Sequence, residues 1–284
     1  MTMLVLAMLH PFTQLGWLAW SIHPSTVIGI AALGAIYLWR GGHAPPGENL
    51  SGARKLLFFA GLFVMFASLN GPIHDLSDDY LFSAHMVQHL LLTLAMPPLL
   101  IAGVPGWMLR PLMRNRTIAA IARRITKPVF CFVAFNLMIA VWHIPDFYNA
   151  AMVNHNIHIV EHLMFMSAAV LMWWPLMSPL PELPRLAYPG QMLYCFLMSI
   201  PMSIIAIYIT LADRVLYPAY AAAPRVTWLT PMDDQMLGGL IMWVPGGLIF
   251  AIVMTVVFFR WVARGEDSTA GAQVDWEPLR VFPS

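Results

Sequence analysis

Two pairs of histidines stand four residues apart inside long apolar runs: His85 and His89 in AHMVQHLLLTLAMPPLL, and His158 and His162 in HIVEHLMFMSAAVLMWW. On an α-helix, residues i and i+4 lie one above the other on one face, so each pair aims two imidazoles at one point. Imidazole ligates zinc, copper, iron and nickel. A polar side chain is costly in hydrocarbon, so it normally faces a protein interior and marks a functional site. The plainer alternative is that these histidines join helices by hydrogen bonds. Glu161 lies three residues after His158, about 300° around a helix, and so shares nearly the same face. A carboxylate there either orients an imidazole beside a metal or makes a packing hydrogen bond.

The neighbouring residues narrow the chemistry. His143, in VWHIPDFY, is either a fifth ligand or a helix-end residue bonded to a free carbonyl near Pro145. Met86 adjoins His85 and Met236 opens the last apolar run, and the thioether of methionine selects chiefly for copper(I). Zinc is the next choice. The string HIVEH has the order H-x-x-E-H rather than H-E-x-x-H, an order used by inverzincins, but a protease also needs a third ligand and an aqueous cleft. Haem b is the main competitor, since bis-imidazole ligation draws one histidine from each of two facing helices. Same-helix pairs at one depth would crowd two porphyrins, which favours a compact ion site or one haem with a spare pair. Asp233, Asp234 and Gln235 sit at the same level, where the acids would draw cations towards the mouth of the site.

These residues need a bilayer-spanning scaffold to hold them. The chain has 284 residues, 60% hydrophobic and 10% charged, a composition of polytopic membrane proteins. Net charge is +1 and the basic residues are confined to particular connections, so nothing suggests a nucleic-acid binder. Cys131 and Cys195 fall in apolar stretches and read as core thiols. Seven stretches approach the roughly 20 apolar residues a spanning helix needs: 24–40, 55–72, 81–102, 128–145, 157–176, 189–212 and 235–262. The connections 41–54, 103–127 and 213–234 are expected outside the bilayer. The expected fold is all-α, a polytopic membrane helix bundle.

Charge orients the bundle. Arg40, Arg54, Lys55, Arg110, Arg114, Arg116, Arg123, Arg124, Lys127, Arg185, Arg260, Arg264 and Arg280 mark one set of ends, which the positive-inside rule makes cytoplasmic. Asp75, Asp78, Asp79, Asp146, Asp213, Asp233 and Asp234 mark the other. The N-terminus is thus expected outside and the C-terminus inside. Residues 1–23 are expected to form an outer interfacial segment, 24–262 the seven-helix domain and 263–284 a cytoplasmic tail. On this topology His85, His89, His143, His158 and His162 all fall near the outer leaflet. His10, His23 and His74 read as headgroup-level residues, and His43 as cytoplasmic.

Four strings, HMVQHLLLTLAMPPLLIAGVP (85–105), VWHIPDFYNAA (141–151), HIVEHLMFMSAAVLMWWP (158–175) and DQMLGGLIMWVPGG (234–247), resemble the polytopic CtaG-type cytochrome c oxidase assembly factor family. This is the multi-span family linked to caa-type oxidases, not the single-span copper chaperone sharing the CtaG name. The resemblance covers about residues 70–260. It implies a seven-span protein needed to mature a haem-copper oxidase, with a role in copper handling. His85, His89, His143, His158, Glu161, His162, Asp234 and Gln235 stand where that family keeps its polar signature.

Together these readings predict a non-enzymatic multi-pass protein of the bacterial cytoplasmic (inner) membrane. Its partners would be membrane lipid, a haem-copper oxidase subunit and a periplasmic copper chaperone. Copper would be held by His85, His89, His143, His158 and His162, with Met86 and Met236 as soft ligands and Glu161, Asp233, Asp234 and Gln235 around them. The alternatives are a haem b-binding membrane cytochrome and a metal-free assembly scaffold.

Overall fold

A computed structural model describes residues 21–270, with side chains through Arg264. Most of the expected outer segment (1–20) and the end of the tail (271–284) lie outside the described residues. The described chain is helical, and no strand occurs among its residues. We label the helices α1 (Pro24–Gly42), α2 (Gly52–Leu69), α3 (Pro72–Asp79), α4 (Phe82–Gly103, with a π-helical turn at Leu91–Ala95), α5 (Arg116–Ile125), α6 (Pro128–Trp142), α7 (Pro145–Val153), α8 (His155–Met177), α9 (Tyr188–Thr210), α10 (Pro218–Ala222) and α11 (Pro231–Ala270).

Local chemistry sets where these helices begin. Proline, whose missing N–H costs nothing in a first turn, opens α1, α3, α6, α7, α10 and α11. Ser51 accepts from Arg54 N at the start of α2, and Asn154 accepts from the backbone N–H groups of Asn156 and Ile157 at the start of α8. The second cap fixes where the helix carrying His158 and His162 starts.

Five helices, α2, α4, α8, α9 and Pro231–Arg264 of α11, are long and apolar enough to cross a membrane. A sixth span forms if α5 and α6, bent by 68° at their junction, act as one. The expected 128–145 span is shorter than its apolar run because Pro145 opens α7. The 15 residues of α6 rise roughly 22 Å, short of a hydrocarbon core of about 30 Å. The bend follows from Pro128, which holds Lys127 in an extended conformation (φ −61°, ψ 135°). Helix α1 has 19 residues, but its polar start and Arg40-Gly41-Gly42 end dilute the apolar centre. The basic connection expected as a loop over 103–127 contains α5. That helix exposes Ile118 and Ile121 and carries Arg123 and Arg124 in its last turn, the pattern of a helix lying at an interface.

The core runs along the bundle through Phe82, Phe135, Phe165, Met172, Cys195, Met198 and Phe250. Helices α9 and α11 make its closest seam. A Cβ on Gly239 would fall 2.3 Å from Thr210 Oγ1, and one on Gly238 would fall 2.4 Å from a Phe82 ring carbon. Only glycine lets α11 approach both neighbours this closely. A second tie joins α4 to α8. Pro97 and Pro98 supply no N–H to the preceding turn, and the Trp173 indole N–H donates to the Thr93 carbonyl there at 2.9 Å. The π-helical turn at Leu91–Ala95 absorbs the same interruption, one turn beyond His89.

Candidate metal centre

The first turns of α4 and α8 meet the end of α6 at one end of the bundle, and all five histidines singled out from the sequence gather there. Ring centroids lie 4.0 Å apart for His85 and His89 and 4.5 Å apart for His158 and His162. Between helices, His89 lies 6.1 Å from His162 and 6.1 Å from His143. Glu161 is 1% exposed and His85 fully buried.

Among the described residues, few of the polar atoms in this cluster have a hydrogen-bond partner. His143 Nδ1 is 2.8 Å from the Ile139 carbonyl, which makes Nδ1 the protonated nitrogen and leaves the Nε2 lone pair free. Asp78 Oδ2 lies 3.6 Å from His158 Nδ1 and 3.4 Å from His74 Nε2. Both ring nitrogens of His85, His89 and His162, Nε2 of His143 and of His158, and Oε1 of Glu161 are buried without a hydrogen-bond partner among the described residues. An unsatisfied buried polar group costs about 1–3 kcal/mol. So many at one point are what a bound cation would resolve. The ligand atoms also converge in two sets, His85/His89/Glu161 and Asp78/His158/His162, with all atoms of each set within 4.8 Å of one another. Ligands bound at about 2.0–2.2 Å from one ion lie about 3–4 Å apart, so a modest inward shift closes either set.

The other sequence candidates occupy different places. Asp234, fully buried, accepts from Phe82 N at 2.7 Å, Ser83 N at 3.2 Å and Ser83 Oγ at 2.5 Å. It thus caps the start of α4 from the neighbouring span and sets the height of His85 and His89. Gln235 accepts from Leu216 N at 2.6 Å and donates to the Arg214 carbonyl at 3.1 Å, tying down the segment between α9 and α10. Asp233 pairs with exposed Thr230 at 2.6 Å in the first turn of α11. Met86, about 100° around the helix from His85, packs towards Gly238, and Met236 is 43% exposed.

Three participants were not singled out from the sequence. Asp78 joins the histidines because α3 folds back over them, and its sequence position signalled only an acidic connection. His74, expected at headgroup level, stands beside Asp78 and takes a hydrogen bond from Gln88 Nε2 on Nδ1 at 3.2 Å. Its ring lies 6.4 Å from that of His158 and 4.6 Å from that of His23. The third is Tyr148, whose ring is 5.2 Å from His85. Its hydroxyl meets Tyr220 Oη at 2.8 Å, and Tyr220 donates to the Ser77 carbonyl at 2.7 Å. Together with Tyr217, stacked on Phe82 at 4.7 Å, these aromatics roof the cluster. Burial holds the Tyr148 and Tyr220 hydroxyls well above their ordinary range, so they remain neutral. Burial, then the neighbouring His74, lowers the pKa of His23, whereas burial, then Asp78 and Asp75, raises that of Asp79.

A family profile described as cytochrome c oxidase caa3 assembly factor matches residues 32–264, most of the chain and every residue of this cluster. The chain belongs to that family. Two curated relatives, an uncharacterised protein of Mycobacterium bovis and one of Mycobacterium tuberculosis, are each 24% identical over 280 residues. Each alignment takes in 90% of this chain but 41% of the relative, so the chain spans about two fifths of the length of the curated relatives it matches. No solved structure matches. Membership accords with an all-helical described chain that has five or six helices long and apolar enough to cross a membrane.

Proposed function

We propose that the protein is a non-enzymatic factor that binds copper(I) on the histidine cluster and passes it to a haem-copper oxidase subunit during assembly. The observation that carries this reading is the convergence of buried imidazole nitrogens without partners among the described residues, on His85, His89, His143, His158 and His162. Imidazole suits copper, and a terminal oxidase under assembly has a use for that metal. Compact ions also suit the packing better than a macrocycle, because the Phe165 ring lies 4.3 Å from that of His89 and occupies space beside it.

The same proposal includes seven spans, with α1 and the bent α5–α6 pair completing the set, in a bacterial cytoplasmic membrane. The cluster then faces outwards, where a periplasmic copper chaperone would be the donor. Supporting this, Arg40, Arg54, Lys55, Arg116, Arg123, Arg124 and Arg260 mark helix ends opposite to Asp75, Asp78, Asp146 and Asp234. Elemental analysis and an optical spectrum of one purified sample test the metal. Bound copper that disappears in the double variant His85→Ala, His158→Ala is expected. A copper-free wild type ends the copper reading, and a Soret band with a reducible α-band replaces it with haem.

A further inference from the structure

Resting on the copper reading, the geometry points to two ions held in series: an outer ion on Asp78, His158 and His162, and an inner ion on His85, His89 and Glu161, loaded in that order. Two observations separate the sites. Each set brings its own three ligand atoms within 4.8 Å of one another, and no residue belongs to both. Each contains one carboxylate and two imidazoles, so neither needs to borrow a ligand from the other.

Access sets the order. The outer set reaches solvent through Asp78, whose side chain is 20% exposed, and His158, at 11%. The inner set is sealed, with His85 at 0%, Glu161 at 1% and His89 at 5%, beneath Tyr148, Tyr217 and Tyr220. An ion bound for His85 therefore passes the outer ligands first. The step between sites is short, since the His162 and His89 rings are 6.1 Å apart and meet at 88°. His143 Nε2 stands on the inner side of that step, with its ring 6.1 Å from His89.

The imidazoles continue outwards. His74 lies 6.4 Å from His158, and His23 lies 4.6 Å from His74. Both His74 nitrogens are engaged, by Gln88 and Asp78, so His74 positions Asp78 rather than ligating. His23 Nε2 has no partner among the described residues and extends the file beyond His74. Copper(I) moves inwards by ligand exchange at constant oxidation state: bonds to His158 and His162 break as bonds to His89 and His85 form.

The test is the copper content and release kinetics of the full-length protein loaded with copper(I), using the bulky water-soluble chelator bathocuproine disulfonate. The wild type is expected to hold two coppers per chain. One leaves promptly and the other about tenfold or more slowly, because its release waits on local opening of the roof. Glu161→Gln is expected to lose the slow copper and keep the prompt one. Asp78→Asn is expected to lose the prompt one, and its remaining copper loads more slowly. A wild type with a single copper, two coppers released at one rate, or variants that each lose both phases equally overturns the series arrangement and leaves the copper reading standing. A wild type without copper overturns both.

Discussion

Trp173 of α8 donates its indole N–H to the Thr93 carbonyl of α4 at 2.9 Å, in place of a backbone N–H that the Pro97-Pro98 pair cannot supply. The bond locks together the two helices that carry the paired histidines, about one turn below His89. Trp173→Phe keeps most of the aromatic volume but strands a buried carbonyl, at a cost of about 1–3 kcal/mol. A fall in the thermal unfolding midpoint in detergent, with weaker copper retention, is the expected result. Unchanged stability would mean that the π-helical turn satisfies Thr93 by itself.

Asp234 makes the second cross-link, from the start of α11 to the start of α4. Asp234→Ala removes the acceptor of the Phe82 and Ser83 N–H groups at the N-terminus of α4 and leaves them without it. A loss of about 2 kcal/mol or more is expected, together with reduced copper content, because His85 lies two residues beyond Ser83. Ser83→Ala removes one of the three bonds and is expected to cost about 1 kcal/mol. If the two variants behave alike in denaturant unfolding, the backbone bonds contribute nothing.

Gly239→Ala places a methyl group against Thr210 Oγ1 and N at the α9–α11 seam. Overpacking of this kind costs about 1–3 kcal/mol, and the helices are expected to separate enough to lower the unfolding midpoint. The counterpart Gly247→Ala meets nothing within 4 Å among the described residues and is expected to be neutral or slightly stabilising through helix propensity. Equal effects from the two would show that propensity, not contact, governs the seam.

Removing the metal is expected to destabilise the protein in proportion to its binding. Copper held at 100 times its dissociation constant stabilises the folded form by about 2.7 kcal/mol. Chelation is therefore expected to lower the wild-type unfolding midpoint but to leave that of His89→Ala, His162→Ala unchanged. A chelator effect of equal size in both would place the metal elsewhere.

The paired histidines and Glu161 were legible because helical periodicity alone puts them on one face, and the meeting of α4 with α8 then brings them together. His143 was legible as a choice, and the structure shows its ring bonded at Nδ1 while Nε2 meets no partner among the described residues. Asp78 was not, because its contact with His158 depends on a short helix folding back across 80 residues of sequence, and no local pattern encodes that. Asp234 and Gln235 were seen as polar residues at the right depth, but their task depends on which backbone groups a neighbouring helix leaves open. The spans were read closely where apolar runs end at turns. They were read less well at 128–145, where Pro128 and Pro145 cut a continuous apolar run into shorter helices.

The carboxylate that caps the start of α4 belongs to α11, more than 150 residues downstream. During synthesis, His85 and His89 leave the ribosome long before that carboxylate exists. A nascent chain halted before residue 231 lacks the bonds that Asp234 makes to the start of α4. The proposed capture of copper is thereby tied to synthesis of α11, so chains halted before it are expected to be poor competitors for a scarce and toxic metal.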